Sequence, residues 1–542
     1  MVLQLRLNLF ILKKILHKGV GMKQLPIGVQ TFEIMINDSF IYVDKTEHIH
    51  KIITKGRYYF LARPRRFGKS LLVSTLKEIF LGNKALFKGL WIYKSTYDWD
   101  EHPVIHLDFS QLAHKSPEAL EADLSWSLDS IAEDYDIDVS STPSIQTKLK
   151  KLVKSLAKRY RPLRVAILID EYDYPILSNV HIIDLAKKHQ EILRSFYATI
   201  KSLDAYLDFV FLTGVSKFSR TSIFSGLNNL KDITNTAQGA SLLGYTQQEL
   251  EYYFKDHINS IAKEHRIAST SIIDQMRTWY NGYRFSRETI NVYNPYSVLL
   301  YLDSGIIENY WFDTGTPSFL INILRQKYDS LRNVERGKVS VSSLGTFNIE
   351  NMPLITLLFQ TGYLTIKDYN FKTRKYALGV PNKEVELSLE KNLLSAFTYK
   401  DEPDVESYLD QMRKALDNNN IKEFCTNLQI LLANIPYNLH IKQEKYYHSL
   451  FQLMGNLLGM DSNSEVATDK GRIDLTLTTK KYVYLFEFKF NQTADKALKQ
   501  IEHKKYYERY LGQGKKIILI GISFHRKEND LTIEYLTKSL IS

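Results

Sequence analysis

The sequence predicts an α/β protein with two sheet-containing parts and a mainly helical region between them. In the first part, short apolar runs alternate with helical patterns, which is typical of a parallel sheet with covered faces; the runs are 57–62, 103–109, 165–169 and 208–213. Near the other end of the chain, two adjacent runs precede a helical pattern and a further strand; these strands are 473–479, 482–488 and 516–522. The second part is therefore a smaller α/β unit.

Bulk composition is that of a globular protein and narrows the set of partners. Of the 542 residues, 44% are hydrophobic and 24% charged, which argues against long disordered tracts. The net charge of +11 favours a polyanionic partner such as nucleic acid, although the same charge also serves solubility. Cys425 is the single cysteine, so disulfides and cysteine-based zinc sites are excluded and a cytoplasmic location fits. No apolar run reaches the ~18 residues that suggest a membrane span.

The first residues have an unusual composition. No acidic residue precedes Glu33, and Lys13 and Lys14 interrupt the apolar run, which argues against a signal peptide. A short amphipathic helix is one interpretation. An upstream start codon, with Met22 as the true beginning, is the interpretation we prefer, so residues 1–22 are expected to be an extension.

A phosphate-binding pattern lies between the first predicted strand and a helix at 70–80. Residues 63–70 match G-x-x-x-x-G-K-[ST] at Gly68, Lys69 and Ser70, but Arg63 stands at the first glycine. Backbone N–H groups at a helix start cradle phosphates, and the lysine reaches the β- and γ-phosphates. We therefore expect a nucleotide to contact the loop and the residue after it, which adds Arg65, Arg66, Phe67 and Leu71 to the nucleotide-binding set.

An acidic pair follows the third apolar run, as a Walker B element requires. Asp170 would bind Mg²⁺ together with the Ser70 hydroxyl, and Glu171 would orient and deprotonate the attacking water. The alternative is an acidic pair that only caps the next helix. Because the phosphate-binding pattern and this pair occur together, the catalytic interpretation is preferred.

Polar residues after the fourth run extend the predicted nucleotide site. Thr213 is a candidate sensor of the γ-phosphate, and Lys217 and Arg220 are candidates for stabilising transition-state charge, in cis or from a neighbouring subunit. A solvated turn is the alternative for the two basic residues, and it is slightly preferred.

Two strands in the last hundred residues predict a second catalytic site. A tight turn at Lys480-Lys481 pairs Thr479 with Tyr482, and counting back from this pair sets Asp474 opposite Glu487. Opposed residues share a face with Cβ atoms about 5 Å apart, and Lys489 shares that face because side chains alternate. Asp474, Glu487 and the carbonyl of Phe488 would bind Mg²⁺ or Mn²⁺, and Lys489 would activate water. A cross-strand ion pair on a solvated hairpin is the alternative.

The sequence resembles the bacterial AAA-ATPase-like family over nearly its whole length from residue 23. The resemblance rests on Arg63-Pro-Arg-Arg-Phe-Gly-Lys-Ser-Leu71, Leu168-Ile-Asp-Glu-Tyr172, Leu212-Thr-Gly-Val215 and Trp279-Tyr-Asn-Gly-Tyr283. It implies ATP as the nucleotide, an arginine P-loop as a family trait, and a place near the nucleotide for Asp44 and Lys45. It also implies a C-terminal domain of the PD-(D/E)xK nuclease type, in which Glu444, with Glu465 as its rival, and Gln500 complete the site.

The patterns divide the chain into an AAA/STAND-like P-loop NTPase and a restriction-endonuclease-like domain, with helical and winged-helix-like regions between them. The expected segments after the extension are an ATPase-like domain at 23–244, a helical lid at 245–335, a winged-helix-like region at 336–400, a helical connector at 401–440 and the nuclease-like domain at 441–542. A winged helix binds DNA in some proteins and packs in others, and packing is preferred here.

These observations predict an ATP-hydrolysing protein coupled to a metal-dependent nuclease. The expected partner is nucleic acid, DNA before RNA, with a homo-oligomer as a further expectation and no membrane. The alternative is a nucleotide-switched scaffold whose nuclease-like domain binds without cutting.

Overall fold

A computed structural model describes the chain from residue 22 onward. The residues outside this description are 1–21, 219–222, 224–226, 228, 312–337, 341–343, 347, 351–352, 399, 401, 434–450, 452–453, 459–460, 469–470, 528–529 and 541–542. The chain divides into two compact units, Met1–Phe319 with Asp329–Val385, and Leu320–Tyr328 with Glu386–Ser542. The predicted N-terminal extension lies almost wholly outside the described residues, and the finer division into segments stays a prediction.

The sheet of the first unit contains five parallel strands. They are β1 (Tyr58–Ala62), β2 (Val104–Asp108), β3 (Val165–Asp170), β4 (Leu207–Gly214) and β5 (Lys231–Asp232). Their order is β2-β3-β4-β1-β5, so β4 lies between the strand that precedes the phosphate-binding loop and the strand that ends in Asp170. All carboxyl ends meet at one edge, which is where open α/β sheets bind ligands.

Helices cover both faces of this sheet, as the continuous apolar strands require. On one face, side chains of three helices form a large core with alternate strand residues; the helices are Pro117–Asp134, Ile145–Arg159 and Ile183–Lys201. On the other face lies the helix Lys69–Phe80, where Phe80 stacks on Phe209 at 4.9 Å. The first two helices begin at serine caps, Ser116 and Ser144, whose side chains accept backbone N–H groups.

Elsewhere in the first unit, the described residues form further helices and a small antiparallel sheet. Its strands are β6 (Lys338–Ser340), β7 (Thr365–Asn370) and β8 (Lys375–Gly379), in the order β6-β8-β7. Strands β7 and β8 form a hairpin, in which a turn after Asn370 pairs Tyr369 with Tyr376. The remaining helices are Phe32–Asn37, Thr46–Ile53, Tyr174–Leu177, Gln247–Tyr253, Lys255–His265, Ser269–Tyr280, Pro295–Ser304 and Leu354–Thr361.

The second unit contains a mixed five-stranded sheet in the order β13-β12-β11-β10-β9. The strands are β9 (Asp461–Thr468), β10 (Gly471–Thr478), β11 (Tyr482–Phe490), β12 (Lys516–Lys527) and β13 (Asp530–Leu540). Strands β11 and β12 are parallel and are joined through the helix Ala494–Lys504, whereas the other pairs are antiparallel. Further helices are Lys383–Thr398, which begins in the first unit, Glu402–Asp417 and Ile421–Leu432.

Several smaller features complete the description. Single 3₁₀ turns occur at Lys84–Phe87, Trp91–Lys94, Phe109–Gln111, Asp204–Tyr206 and Glu508–Tyr510. The last of these follows the helix Ala494–Lys504, which ends because Lys505 adopts a left-handed conformation. Among the residues from 22 onward that are described, no helix combines the length and apolar character of a membrane span.

Candidate functional site

A cavity of about 460 Å³ opens at the carboxyl edge of the first sheet. The phosphate-binding loop forms one wall, and apolar residues of the segments 26–49 and 242–245 form another. This volume falls in the range of small-molecule sites, about 300–1,000 Å³. The predicted residues that line it are Arg65, Arg66, Phe67, Gly68, Lys69, Ser70, Leu71, Lys45 and Glu171.

The loop delivers a buried lysine to this cavity. Gly68 has φ +89°, a left-handed conformation that suits glycine, and it begins the helix Lys69–Phe80. The Lys69 ammonium lies 3.1 Å from a carboxylate oxygen of Glu171 and donates to the Pro64 carbonyl at 3.3 Å. Lys69 and the predicted catalytic base therefore form an ion pair at the cavity.

A hydroxyl and a carboxylate meet at the bottom of the loop. Burial, and then the charge of Glu171, raise the pKa of Asp170 to about 6, while a hydrogen bond from Ser70 opposes that rise. Two oxygen donors in contact at a helix start fit the ligands that Mg²⁺ accepts in nucleotide sites. Glu171 itself has φ +50°, which is uncommon for a non-glycine residue and is found at functional turns.

Asp108 is a cavity residue that the sequence did not point to. It ends β2 directly opposite Asp170 on β3, and its charge contributes to the raised pKa of that neighbour. Its carboxylate accepts the backbone N–H and the hydroxyl of Ser110 at 2.9 and 2.7 Å. The signal was available, because Asp108 ends an apolar run, and parallel strands bring such ends together.

Arg63 does not line the cavity, so its predicted contact with the nucleotide needs correction. Its guanidinium is buried and donates to the carbonyls of Ala62, Thr234 and Gly239 at 2.8, 2.8 and 2.5 Å. The same group lies 4.2 Å above the ring of Phe285. Burial lowers the pKa of Arg63 to about 9. The side chain therefore ties the loop to the segment after β5, away from the phosphates.

The other loop residues are held by packing. Arg66, at φ +68°, lies 4.8 Å above the ring of Tyr296. Phe67 is buried edge-on against Tyr283 at 4.9 Å, and the Arg65 carbonyl accepts the indole N–H of Trp311 at 3.2 Å. The aromatic stretch after residue 279 therefore supports the loop from outside the sheet.

Two predicted residues, one near the end of β4 and one just after it, lie away from the cavity. The buried Thr213 hydroxyl donates to the Leu61 carbonyl at 2.9 Å. The hydroxyl that was predicted to contact the γ-phosphate is therefore already bonded to the backbone. Lys217 pairs with Asp232 at 2.7 Å, next to β5, so in this chain its charge is already matched. Arg220 lies outside the described residues.

Of the two residues predicted to lie near the nucleotide, Asp44 and Lys45, only Lys45 lines the cavity. Asp44 accepts the backbone N–H of Thr46 at 2.8 Å and that of Trp91 at 2.7 Å, which is a structural cap. Lys45 reaches the cavity wall, where its ammonium lies 2.7 Å from Glu249 and burial lowers its pKa.

Asp173 is a second residue that sequence reasoning missed. It is fully buried, and its carboxylate accepts the backbone N–H groups of Val215 and Ser216, the latter at 2.6 Å. Burial, and then the charge of Glu171, raise its pKa to about 6. Asp173 therefore joins the turn after Glu171 to the end of β4, which helps to hold Glu171 at the carboxyl edge of the sheet.

The second unit brings the predicted carboxylates together on β10 and β11. Leu475 pairs with Phe486, and continuing that register sets Asp474 opposite Glu487, as the sequence predicts. The backbone N–H of Phe488 donates to Asp474 at 2.8 Å. Glu487 is 2% exposed, and one of its oxygens accepts the ammonium of Lys489 at 3.1 Å and the amide of Gln500. The four predicted side chains therefore form one cluster.

A close helix completes this cluster. Gly521 on β12 pairs with Glu487, and a Cβ atom at Gly521 would lie 2.4 Å from the Ala494 carbonyl oxygen. Only glycine therefore allows the helix Ala494–Lys504 to approach so near, and this helix carries Gln500. Tyr506, which the sequence did not single out as a site residue, is buried beside the cluster. Burial and the charge of Glu487 raise its pKa.

The donor set of this cluster fits Mg²⁺ or Mn²⁺. Within the described part of the chain, no group of three or more His, Cys, Asp and Glu residues is placed to hold a metal ion. Two carboxylates and the Phe488 carbonyl suffice for Mg²⁺, which keeps several waters. Glu444 lies outside the described residues. The backbone register of β9 and β10 sets its rival, Glu465, opposite Asp474.

Comparisons with known proteins agree with this architecture. Residues 26–224 match a family described as predicted AAA-ATPase, AAA-ATPase-like, and residues 442–534 match the PD-(D/E)XK nuclease superfamily. A protein from Azotobacter chroococcum mcd 1, named "Uncharacterized protein in vnfD 5'region", is 35% identical over 530 residues, which cover 96% of this chain and 99% of the relative. The chain therefore belongs to the AAA-ATPase-like family and carries a PD-(D/E)XK nuclease superfamily domain in its second unit.

Proposed function

We propose that this protein hydrolyses ATP in the first unit and cleaves nucleic acid in the second, with divalent metal ions at both sites. One arrangement carries the proposal: each unit presents a lysine beside a carboxylate, Lys69 with Glu171 and Lys489 with Glu487, both at 3.1 Å. Phosphate-transfer chemistry needs such a cation and such a base together.

In the first unit, Lys69 would leave Glu171 for the β- and γ-phosphates of ATP. The freed Glu171 carboxylate then takes a proton from the attacking water, the water oxygen bonds to the γ-phosphorus, and the bond to the bridging oxygen breaks. Ser70 and Asp170 would hold Mg²⁺, which neutralises phosphate charge.

Two substitutions test this assignment. Lys69→Ala should abolish ATP binding, because it removes the phosphate contact. Glu171→Gln should keep ATP binding and slow turnover by about 10²-fold or more, because it removes the base and spares the metal ligands. Calorimetric binding and phosphate release measure the two effects, and Lys88→Ala, an exposed lysine outside the cavity, is the matched control. If both variants match the unsubstituted protein, the assignment is wrong.

In the second unit, Lys489 and the two carboxylates would act on a phosphodiester. Asp474, Glu487 and the Phe488 carbonyl would hold Mg²⁺ or Mn²⁺, which stabilises charge on the nonbridging oxygens. Lys489 positions the attacking water, and its ammonium stays next to the phosphate as the leaving oxygen departs. Gln500 holds the Glu487 carboxylate in place through its amide hydrogen bond.

Cleavage assays test this second activity. The unsubstituted protein, Asp474→Ala and Lys489→Ala are incubated with plasmid, linear DNA and RNA, with Mg²⁺ or Mn²⁺ and with ATP. Both variants should lose cleavage, whereas Asp495→Ala, an acidic residue of the helix Ala494–Lys504, should retain it. Equal cleavage by Asp474→Ala would identify a contaminant. If no substrate is cut under any condition, the non-cutting scaffold becomes the preferred function.

A further inference from the structure

The tip of the β7–β8 hairpin combines basic residues with an exposed aromatic ring. The hairpin, residues 365–379, contains Lys367, Lys372, Arg374 and Lys375 but only one acidic residue, Asp368. At its tip the ring of Phe371 is 76% exposed. Burying such a ring would lower the free energy of the protein, so its exposure suggests a surface that meets a partner.

The tip is held in one conformation by the residues beneath it. Tyr369 and Tyr376 face each other across the two strands with ring centroids 4.6 Å apart, and the guanidinium of Arg287 lies 4.8 Å above Tyr369. Phe371 packs edge-on against Tyr369 at 4.9 Å. The Asn370 side chain accepts the backbone N–H of Thr373 at 2.9 Å, which closes the turn. A partner would therefore meet a preformed surface, at a small entropic cost.

The cations at the tip are available for a ligand. Lys372, Arg374 and Lys375 are exposed, and none of them forms an ion pair with any residue that the structure describes. By contrast, the Lys367 ammonium donates to the Pro381 carbonyl at 3.1 Å and belongs to the base of the hairpin. Three cations and one exposed ring thus stand together on the turn.

Nucleic acid is the partner whose chemistry fits this surface. Phosphates bind unpaired lysine and arginine, and an unpaired base has a flat face that stacks on an exposed aromatic ring, whereas an acidic peptide fits only the cations. The identity of this partner rests on the proposed function, since the second unit would act on nucleic acid. The sequence favoured packing for this region as a whole; the exposed ring and the cations that have no ion-pair partner among the described residues point to binding at its tip.

We propose that the β7–β8 tip is a nucleic-acid-binding site separate from the nuclease cluster. Lys372, Arg374 and Lys375 contact successive phosphates, and Phe371 stacks on an unpaired base of a single strand or a duplex end. The site positions the nucleic acid and takes no part in bond cleavage.

The test measures binding without cleavage. Fluorescence anisotropy with labelled single-stranded and duplex DNA is recorded with Ca²⁺ in place of Mg²⁺, over a range of salt concentrations. The double variant Lys372→Glu/Arg374→Glu should weaken binding by about tenfold or more and reduce the salt slope for a single strand by about 1.4. Phe371→Ala should weaken single-strand binding by roughly fivefold or more, and internal duplex binding less.

Matched controls separate the tip from general effects. Lys150→Glu/Lys158→Glu makes the same charge change on exposed residues of the helix Ile145–Arg159, and Tyr252→Ala removes a ring that is 78% exposed and packs edge-on at 4.9 Å like Phe371. Both controls should bind within about twofold of the unsubstituted protein. If the tip variants also bind within that limit, or if the controls weaken binding equally, the proposal is wrong. If binding depends on the tip residues but the protein cuts no substrate, only the proposed nuclease activity is refuted.

Discussion

Arg63 shows how one position can match a motif and still serve another purpose. The sequence placed it in the phosphate-binding loop, where the general pattern has glycine, but could not show which way the side chain points. In the structure it donates to three carbonyl groups and lies above Phe285, and it does not line the cavity. The direction of the side chain was unpredictable because two of these carbonyl groups and Phe285 come from segments about 170 to 220 residues further along the chain.

Replacing Arg63 therefore separates stability from ligand binding. Arg63→Met leaves three buried carbonyl groups without their donor, so we expect a loss of about 3 kcal/mol in the free energy of unfolding, measured by urea denaturation. The protein that remains folded should bind ATP within about twofold of normal, because the side chain does not reach the cavity. Arg65→Met, at the cavity wall, should weaken ATP binding and leave the free energy of unfolding nearly unchanged. If Arg63→Met instead weakened ATP binding and left the stability unchanged, the original prediction that Arg63 contacts the nucleotide would be favoured again.

Individual elements were predicted where the sequence repeats a clear pattern. Strands β10 and β11 and their register follow from the side-chain alternation and a tight turn, so Asp474 and Glu487 could be paired before the structure was known. The strands β9 and β13 were missed. Strand β9, with the sequence DSNSEVAT, has almost no apolar residues, so its own sequence does not indicate a strand. It is a strand because its backbone pairs with β10.

Gly521 tests how the helix Ala494–Lys504 is kept close to the sheet. Gly521→Ala puts a Cβ atom against the helix backbone, so the helix must move away and Gln500 with it. We expect a loss of at least about 2 kcal/mol in the stability of the second unit, and reduced cleavage in the protein that stays folded. Gly514→Ala is the control, because a Cβ there meets open space and costs only the strain of φ +69°, about 1 kcal/mol. Equal effects of the two substitutions would contradict this account.

For the whole molecule, the sequence predicted two kinds of catalytic domain in one chain, and the family matches agree. The sequence could show that Asp108 lies at the end of a strand, but the contacts of Asp108 and Asp173 could not be derived, since each depends on which strands become neighbours. Strand order is set by contacts between segments far apart along the chain, and a local pattern carries no record of it.

Coupling between the two activities is a property of the whole chain and can be measured as such. At a fixed concentration of free Mg²⁺, ATP should change the cleavage rate of the unsubstituted protein, because on the proposed function a nucleotide would draw Lys69 away from Glu171 and so change the contacts of the first unit. Lys69→Ala should cut at one rate with or without ATP, and Lys88→Ala should respond normally. An ATP response that survives Lys69→Ala would show that ATP acts elsewhere.

The central position of β4 has a consequence for how the protein is made. Strands β1, β2 and β3 leave the ribosome before β4, yet β1 and β3 contact each other only through it. Until residue 214 is available, the nascent chain therefore holds two mostly apolar strands, each with an open edge, and such edges pair readily with other chains. Pausing or truncation inside this interval should send the chain to chaperones or to aggregates, whereas release of β4 closes the two edges that β1 and β3 turn toward it.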